Sequence, residues 1–174
     1  MLELEEIQNR VREAIRRGAT EVCLQGGIHP KFDGNYYLDV IKAIRKVSPD
    51  IHIHAFSPLE IFQGAQTLGL TLEEYLPILK EAGLNSLPGT AAEILHDDVR
   101  DIICPDKLNT VEWLSVMDAA HSCGLKSTAT IMFGHVETYD HIAEHLINIK
   151  NQQIKSRGFT EFVPLPFVAH EAPM

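Results

Sequence analysis

One rhythm constrains what this chain can fold into: a short apolar run, a turn rich in Gly, Pro and His, then an amphipathic helix, repeated along its length. Runs at Glu21–Gln25, Ile51–Phe56, Asn85–Leu87, Ser127–Phe133 and Phe159–Val163 read as strands, with starts 30, 34, 42 and 32 residues apart. Each interval leaves room for a crossover helix, and such alternation implies parallel strands joined by right-handed connections. The helices are legible from their faces. Leu4, Ile7, Val11 and Ile15 align before Gly18, and Tyr37, Val40, Ile41 and Ile44 form a stripe closed by Ser48-Pro49. Thr71 and Glu74 have capping-box spacing, and Gly83 ends the helix they open even though Pro77 lies inside it. Trp113, Leu114, Met117 and Ala120 form a stripe stopped by Gly124, and a Thr138 cap opens a helix carrying Ile142, Leu146 and Ile149.

The expected fold is α/β, a partial parallel (β/α) TIM-type barrel with five βα units in one domain over residues 1–174. A complete barrel of this type takes about 250 residues. This chain opens on a helix and stops at Ala172-Pro173-Met174, soon after the fifth strand. Five strands cannot close a barrel, so the expectation is a fragment incomplete at both ends, with open edge strands that favour self-association.

Charge and composition narrow the partners. The net charge is −9 and the pI about 5.4, with no basic stripe to neutralise phosphates, so no nucleic-acid partner is expected. No apolar run approaches the roughly 20 residues of a membrane span, and the N-terminus MLELEEIQNR is acidic rather than secretory. The cytoplasm is the expected compartment. Cys23, Cys104 and Cys123 lie far apart, giving neither a disulfide framework nor a zinc knuckle. They read as small buried hydrophobes, with Cys104, before Pro105, the best placed for exposure.

In parallel barrels the chemistry sits at the C-terminal ends of the strands. Here those ends carry Gln25-Gly26-Gly27-Ile28-His29-Pro30, Ser57-Pro58-Leu59-Glu60, Pro88-Gly89-Thr90-Ala91-Ala92-Glu93, Gly134-His135-Val136-Glu137-Thr138 and Pro164-Leu165-Pro166-Phe167. Gly26-Gly27 reads either as a tight turn or as a place where the backbone approaches a ligand carboxylate or amine. Thr90 and Glu93 have capping-box spacing, which does not exclude ligand contact. In strand two, alternation puts His52, His54 and Phe56 on one face and Ile51, Ile53 and Ala55 on the other. The histidines then point inward, His52 as a satisfied core residue and His54 nearer the mouth. His52, His54 and His135 also admit a metal-dependent barrel hydrolase, but no strand-end Asp follows strand five, and no metal site is expected. His96, His121, His141 and His145 fall on helix patterns and read as solvated or capping; Asp33-Gly34 and Asp97-Asp98 read as turns and helix faces. A non-catalytic binding protein stays open as a reading from another class.

Six stretches in order resemble one family: ATEVCLQGGIHP (19–30), IHIHAFSP (51–58), LPGTAAEIL (87–95), ICPDK (103–107), TATIMFGHVET (128–138) and GFTEFVPLPF (158–167). They are similar to the radical S-adenosylmethionine enzymes of deazaflavin and menaquinone biosynthesis. Pro88-Gly89-Thr90-Ala91-Ala92-Glu93 stands where the menaquinone (futalosine) enzymes have Pro-Gly-Gly-Gly-Ala-Glu. Together with Val163-Pro164-Leu165-Pro166-Phe167 and His170-Glu171-Ala172-Pro173, it favours the tyrosine-ligating enzymes of deazaflavin synthesis (FO synthase, subunit two).

The resemblance implies the fold above and a transferase chemistry. A [4Fe-4S] cluster would reduce S-adenosylmethionine to a 5′-deoxyadenosyl radical that abstracts hydrogen from tyrosine. The Cα–Cβ bond would break, and the hydroxybenzyl fragment would join a ribityl-diaminouracil, with FO synthase subunit one as a functional partner. Carried over residue by residue, Gln25, Gly26 and Gly27 occupy the place that holds the methionyl amino group. Thr90 and Glu93 stand at the loop that meets the ribose or methionyl end. Thr130, Met132, Gly134 and Glu137 fall on the Gly-x-Ile-x-Gly-x-x-Glu pattern that packs adenine, with Thr130 and Met132 departing from it. His29, His54 and His135 are candidates for substrate or proton handling. The family's C-x3-C-x2-C cluster motif has no match here. The first visible strand would then be the family's second, and the chain alone is expected to be inactive.

Overall fold

A computed structural model describes residues 2–168; the His170–Pro173 motif lies outside the described residues. The chain divides into two compact units, Met1–Pro88 and Gly89–Met174.

The first unit runs α1 (Leu4–Arg16), β1 (Glu21–Leu24), α2 (Gly34–Val47), β2 (His52–Ala55), α3 (Pro58–Leu68), α4 (Leu72–Ala82) and β3 (Ser86–Leu87). β1 pairs in parallel with β2, Glu21 opposite His52 and Leu24 opposite Ala55, and β2 pairs in parallel with β3 at His54 and Ser86. The helix caps follow side-chain chemistry. Asp33 accepts from the backbone of Asn35 and Tyr36 at the start of α2, and Ser57 with Glu60 and Thr71 with Glu74 form reciprocal boxes at α3 and α4. The α2 stripe of Tyr37, Val40, Ile41 and Ile44 is buried, as are Ile51, just before β2, and Ile53 and Ala55 within it. Burial of aliphatic side chains of this size contributes about 1.5–3 kcal/mol each. α1 buries Ile7 and Val11, while Leu4 and Ile15 stay on its flank. Pro77 sits inside α4 without ending it.

The second unit runs α5 (Asp97–Ile103), α6 (Thr110–Ser122), β4 (Lys126–Phe133), α7 (Tyr139–Ser156) and β5 (Phe159–Pro166). β4 and β5 are parallel from Ser127 opposite Phe159 to Phe133 opposite Pro166, with one register shift at Ser127/Thr128. Past the ladder's end, Phe167 N–H donates to the Phe133 carbonyl at 2.8 Å. β4 buries Ser127, Ala129, Thr130 and Ile131, whereas most of β5 is exposed.

Several expectations are corrected. Phe56 does not continue the β2 alternation: its φ is +63°, it is buried, and its ring meets Tyr37 of α2 edge-on at 4.9 Å. Cys104 is buried and Cys23 is exposed, the reverse of the expected order, because Cys104 closes α5 while Cys23 lies on the outer strand β1. His145 is fully buried rather than solvated, and His121 is held between Ser156 and Ser127 at 2.7 and 2.8 Å. Thr90 and Glu93 do not form a capping box, since no helix starts there and Ala91 and Glu93 both have φ of +46°.

Candidate functional site

In the first unit the loop after β1 is tied down by a carboxylate from the next strand end. Gly26 N–H donates to Glu60 Oε1 at 3.0 Å. Glu60 Oε2 accepts from Ser57 N–H at 2.8 Å and from the Ser57 hydroxyl at 2.7 Å. Glu60 is only 3% exposed, and that burial pushes its carboxyl up, opposed by the hydrogen bonds from Ser57 and Gly26. A β-carbon on Gly27 would meet nothing within 4 Å, so this part of the loop faces open space. Gln25, Gly26, Gly27, His29, Tyr37 and Glu60 are among the residues lining a groove of about 870 Å³. Gln25 donates through Nε2 to Cys23 Sγ, which leaves its amide oxygen free to accept. His29 Nδ1 accepts from Lys31 N–H at 3.1 Å, its ring beside Phe32, which stacks on Tyr36 at 3.8 Å.

His54 is held elsewhere in the unit. His54 Nδ1 and His52 Nε2 both lie 2.7 Å from Ser86 Oγ, and Glu21 Oε2 is 3.6 Å from His52 Nε2. A hydroxyl has one proton, so it donates to one imidazole and accepts from the other, fixing opposite tautomeric demands on the two rings.

In the second unit the residues after Pro88 lie flat on β4. Gly89 N–H donates to Thr128 Oγ1 at 2.9 Å, and Thr130 Oγ1 donates back to the Gly89 carbonyl at 2.8 Å. A β-carbon at Gly89 would sit 2.3 Å from the Thr128 carbonyl oxygen, so only glycine fits. Met132 N–H donates to the Glu93 carbonyl at 2.9 Å, and the Glu93 carboxylate pairs with Lys107 Nζ at 2.8 Å. Thr90 Oγ1 is buried without a partner. The guanidinium of Arg100, 2% exposed, supports this segment through the carbonyls of Ala91, Ala92, Ile94 and Leu108.

After β4, Glu137 folds its own loop. Its carboxylate accepts from Gly134 and His135 N–H, and burial, which would raise its carboxyl, is outweighed by these amides, so it lies below its ordinary value. His135 Nδ1 accepts from Val136 N–H at 2.7 Å and lies 3.2 Å from Glu137 Oε2; its Nε2 is buried and unpartnered. Its ring meets Phe167 edge-on at 5.3 Å.

Among the described residues no group of three or more His, Cys, Asp or Glu is placed to hold a metal ion, so His52, His54 and His135 are not brought together as ligands. The cysteines do not converge either, and the residues present do not fit a thiolate-ligated iron–sulfur cluster. Each unit by itself carries features open to a small ligand: the first an open glycine loop on its groove, the second buried polar atoms at Thr90 and His135 that lack partners. Glu60, Ser86 and Arg100 carry much of this geometry and are not in the sequence-derived set. The sequence places Glu60 only by position, in the strand-end run Ser57-Pro58-Leu59-Glu60, without giving it a role. No helix among the described residues is long and apolar enough to cross a membrane.

A protein 52% identical over 173 residues, from Methanothermobacter thermautotrophicus, is named 5-amino-6-(D-ribitylamino)uracil–L-tyrosine 4-hydroxyphenyl transferase; the match covers 99% of this chain and 47% of the relative. A protein of the same name from Methanocaldococcus jannaschii is 51% identical over 176 residues, covering 99% and 49%. The chain thus spans about half the length of the curated relatives it matches. The crystal structure of methylornithine synthase superposes with a TM-score of 0.73 at 13% identity, covering 96% of this chain and 44% of that one, and shows the fold to be that of a partial parallel (β/α) TIM-type barrel. The family model described as Radical SAM superfamily matches residues 1–147, and the chain belongs to that superfamily.

Proposed function

We propose that this chain is the ligand-binding portion of a radical S-adenosylmethionine transferase that joins the hydroxybenzyl part of L-tyrosine to 5-amino-6-(D-ribitylamino)uracil, the deazaflavin-forming reaction. The observation that carries this reading is the identity of about one half, over 99% of the chain, to proteins named for that substrate pair. When bound, S-adenosylmethionine supplies the adenosyl group on which the family's chemistry depends. The residues of this chain bind and orient. Gln25, Gly26 and Gly27 take the methionyl end through the open loop face, and Glu93 with Thr90 offers polar atoms for the ribose. Met132, Gly134 and Glu137 shape the adenine-packing turn, while Thr130 acts by holding Gly89 against β4. His29, His54 and His135 are the candidates for substrate or proton handling, His135 through its free Nε2.

The cluster thiolates are not among the described residues, so the chain alone is inactive in this reading and works with a further cluster-bearing segment, with FO synthase subunit one as functional partner, in the cytoplasm. The test is titration calorimetry of the purified chain with S-adenosylmethionine and with the ribityl-diaminouracil. Saturable heat for either supports the reading, and heat for neither refutes it. Iron–sulfur reconstitution of the same protein is expected to leave no bound cluster.

A further inference from the structure

The groove of the first unit contains a carboxylate that no cation neutralises among the described residues. Glu60 is 3% exposed, yet no lysine, arginine or histidine pairs with it among the described residues; its partners are the Gly26 amide and the Ser57 amide and hydroxyl. A buried carboxylate without a cation is costly, and a ligand cation relieves that cost. Three hydrogen bonds also leave acceptor capacity on Oε1, which takes only the Gly26 amide. Gly26 keeps side-chain atoms off that oxygen: a β-carbon there would sit 3.6 Å from Oε1, in van der Waals contact with it.

A second group lines the same groove. Tyr37 is 2% exposed and its hydroxyl is buried without a partner. Burial and then the Glu60 charge push its phenol well above the ordinary range, so it stays protonated and able to donate. The groove therefore pairs a carboxylate acceptor with a neutral O–H donor. The glycine N–H groups cannot supply the first of these, because they only donate, and the Gln25 amide oxygen accepts but carries no charge to match an ammonium.

We infer that Glu60 accepts the α-ammonium, and Tyr37 donates to the α-carboxylate, of an amino-acid-bearing ligand seated over Gly26-Gly27. This rests on the proposed function and extends it by naming the residues that read the zwitterion. S-adenosylmethionine and tyrosine both carry that group, so the test separates them. The chain is titrated calorimetrically with S-adenosyl-L-homocysteine and with 5′-methylthioadenosine, which lacks the amino-acid end, then with L-tyrosine and with 3-(4-hydroxyphenyl)propanoate, which lacks the ammonium.

Expected is at least tenfold tighter binding of the ammonium-bearing member of one pair. That preference should be lost in Glu60→Gln, with the partner ligand unaffected, and Tyr37→Phe should weaken the same amino-acid ligand. Equal binding within both pairs in the wild-type protein, or an undiminished preference in Glu60→Gln, overturns the inference. The wild-type pairs decide the matter even where a variant does not fold. Failure of both S-adenosyl-L-homocysteine and 5′-methylthioadenosine to bind counts against the cofactor reading alone, because the tyrosine pair tests Glu60 without them.

Discussion

Among the described residues the Arg100 guanidinium bonds main-chain oxygens alone, and that makes its removal quantifiable. Nε donates to the Leu108 carbonyl at 2.7 Å and Nη1 to the Ala92 carbonyl at short range, while the contacts to Ile94 and Ala91 are long, at 3.4 Å each. Two full-strength bonds from a charged donor contribute about 1.5–3 kcal/mol apiece, and the long pair adds little. In Arg100→Met the alkyl stem is kept and the carbonyls are stranded, so the expected loss is about 3–5 kcal/mol. Lysine offers one compact ammonium in place of the planar fork, and Arg100→Lys should recover less than half of that loss. Trp113 is the chain's single tryptophan, buried in α6 of the same unit, so urea unfolding followed by its emission reads the second unit directly. Amide exchange at Met132, bonded to the Glu93 carbonyl, should accelerate in step. A loss under about 1 kcal/mol in Arg100→Met, with Met132 exchange unchanged, would refute the view that this arginine holds residues 91–95 in place.

Other perturbations are equally specific. Burial holds His145 and His121 down at about 4, so their unfolded forms take up protons that the folded ones refuse. Stability from these groups is complete above pH 6.5 and falls as pH drops toward 4; the wholly buried His145 alone accounts for about 3 kcal/mol. Trp113-detected urea curves at pH 7 and pH 4.5 check this, and His145→Gln should flatten the dependence. Gly89→Ala places a methyl 2.3 Å from a backbone oxygen and should cost about 2 kcal/mol or more. Gly27→Ala, with open space around it, should leave thermal unfolding unchanged while weakening S-adenosylmethionine binding in calorimetry. Tyr75→Phe removes the buried bond from the Tyr75 hydroxyl to the Gly34 carbonyl, 2.8 Å long, and should lower stability by about 1–2 kcal/mol in a denaturant titration.

The strands and the apolar helix stripes were legible because periodicity reports burial directly. Capping-box spacing was a less faithful guide. Ser57–Glu60, Thr71–Glu74 and Thr90–Glu93 share it, and the first two cap helices. The third does not, because a long-range partner, Arg100, gathers the carbonyls of Ala91 and Ala92 and leaves Ala91 and Glu93 at positive φ. Helix α3 escaped the sequence reading because Gly64 interrupts its pattern; in the fold that glycine lets Tyr75 approach, where a β-carbon would be 2.9 Å from the phenol oxygen. His145 shares a helical face with Ile142 and Ile149, so its burial was open to inference from position, but its residue type argued for solvent. The role of Glu60 was hidden for a different reason. Its bond to Gly26 spans 34 residues, and no local pattern encodes a contact at that range.

The prolines of β5 give its outer margin a polarity. Phe167 directs its N–H to Phe133 of β4, and backbone alternation then turns the even-numbered residues of this stretch away from β4. Two of those, Pro164 and Pro166, have no N–H to offer. Along the part of that rim formed by Pro164 and Pro166 the strand accepts hydrogen bonds and cannot return them. A stray strand, which needs a reciprocal ladder, finds half of its partners missing, although Phe162, Val163 and Leu165 are exposed beside it. Any neighbour that settles beside those two prolines must bring its own donors and secure itself through side chains, and the margin is thereby selective in what it pairs with.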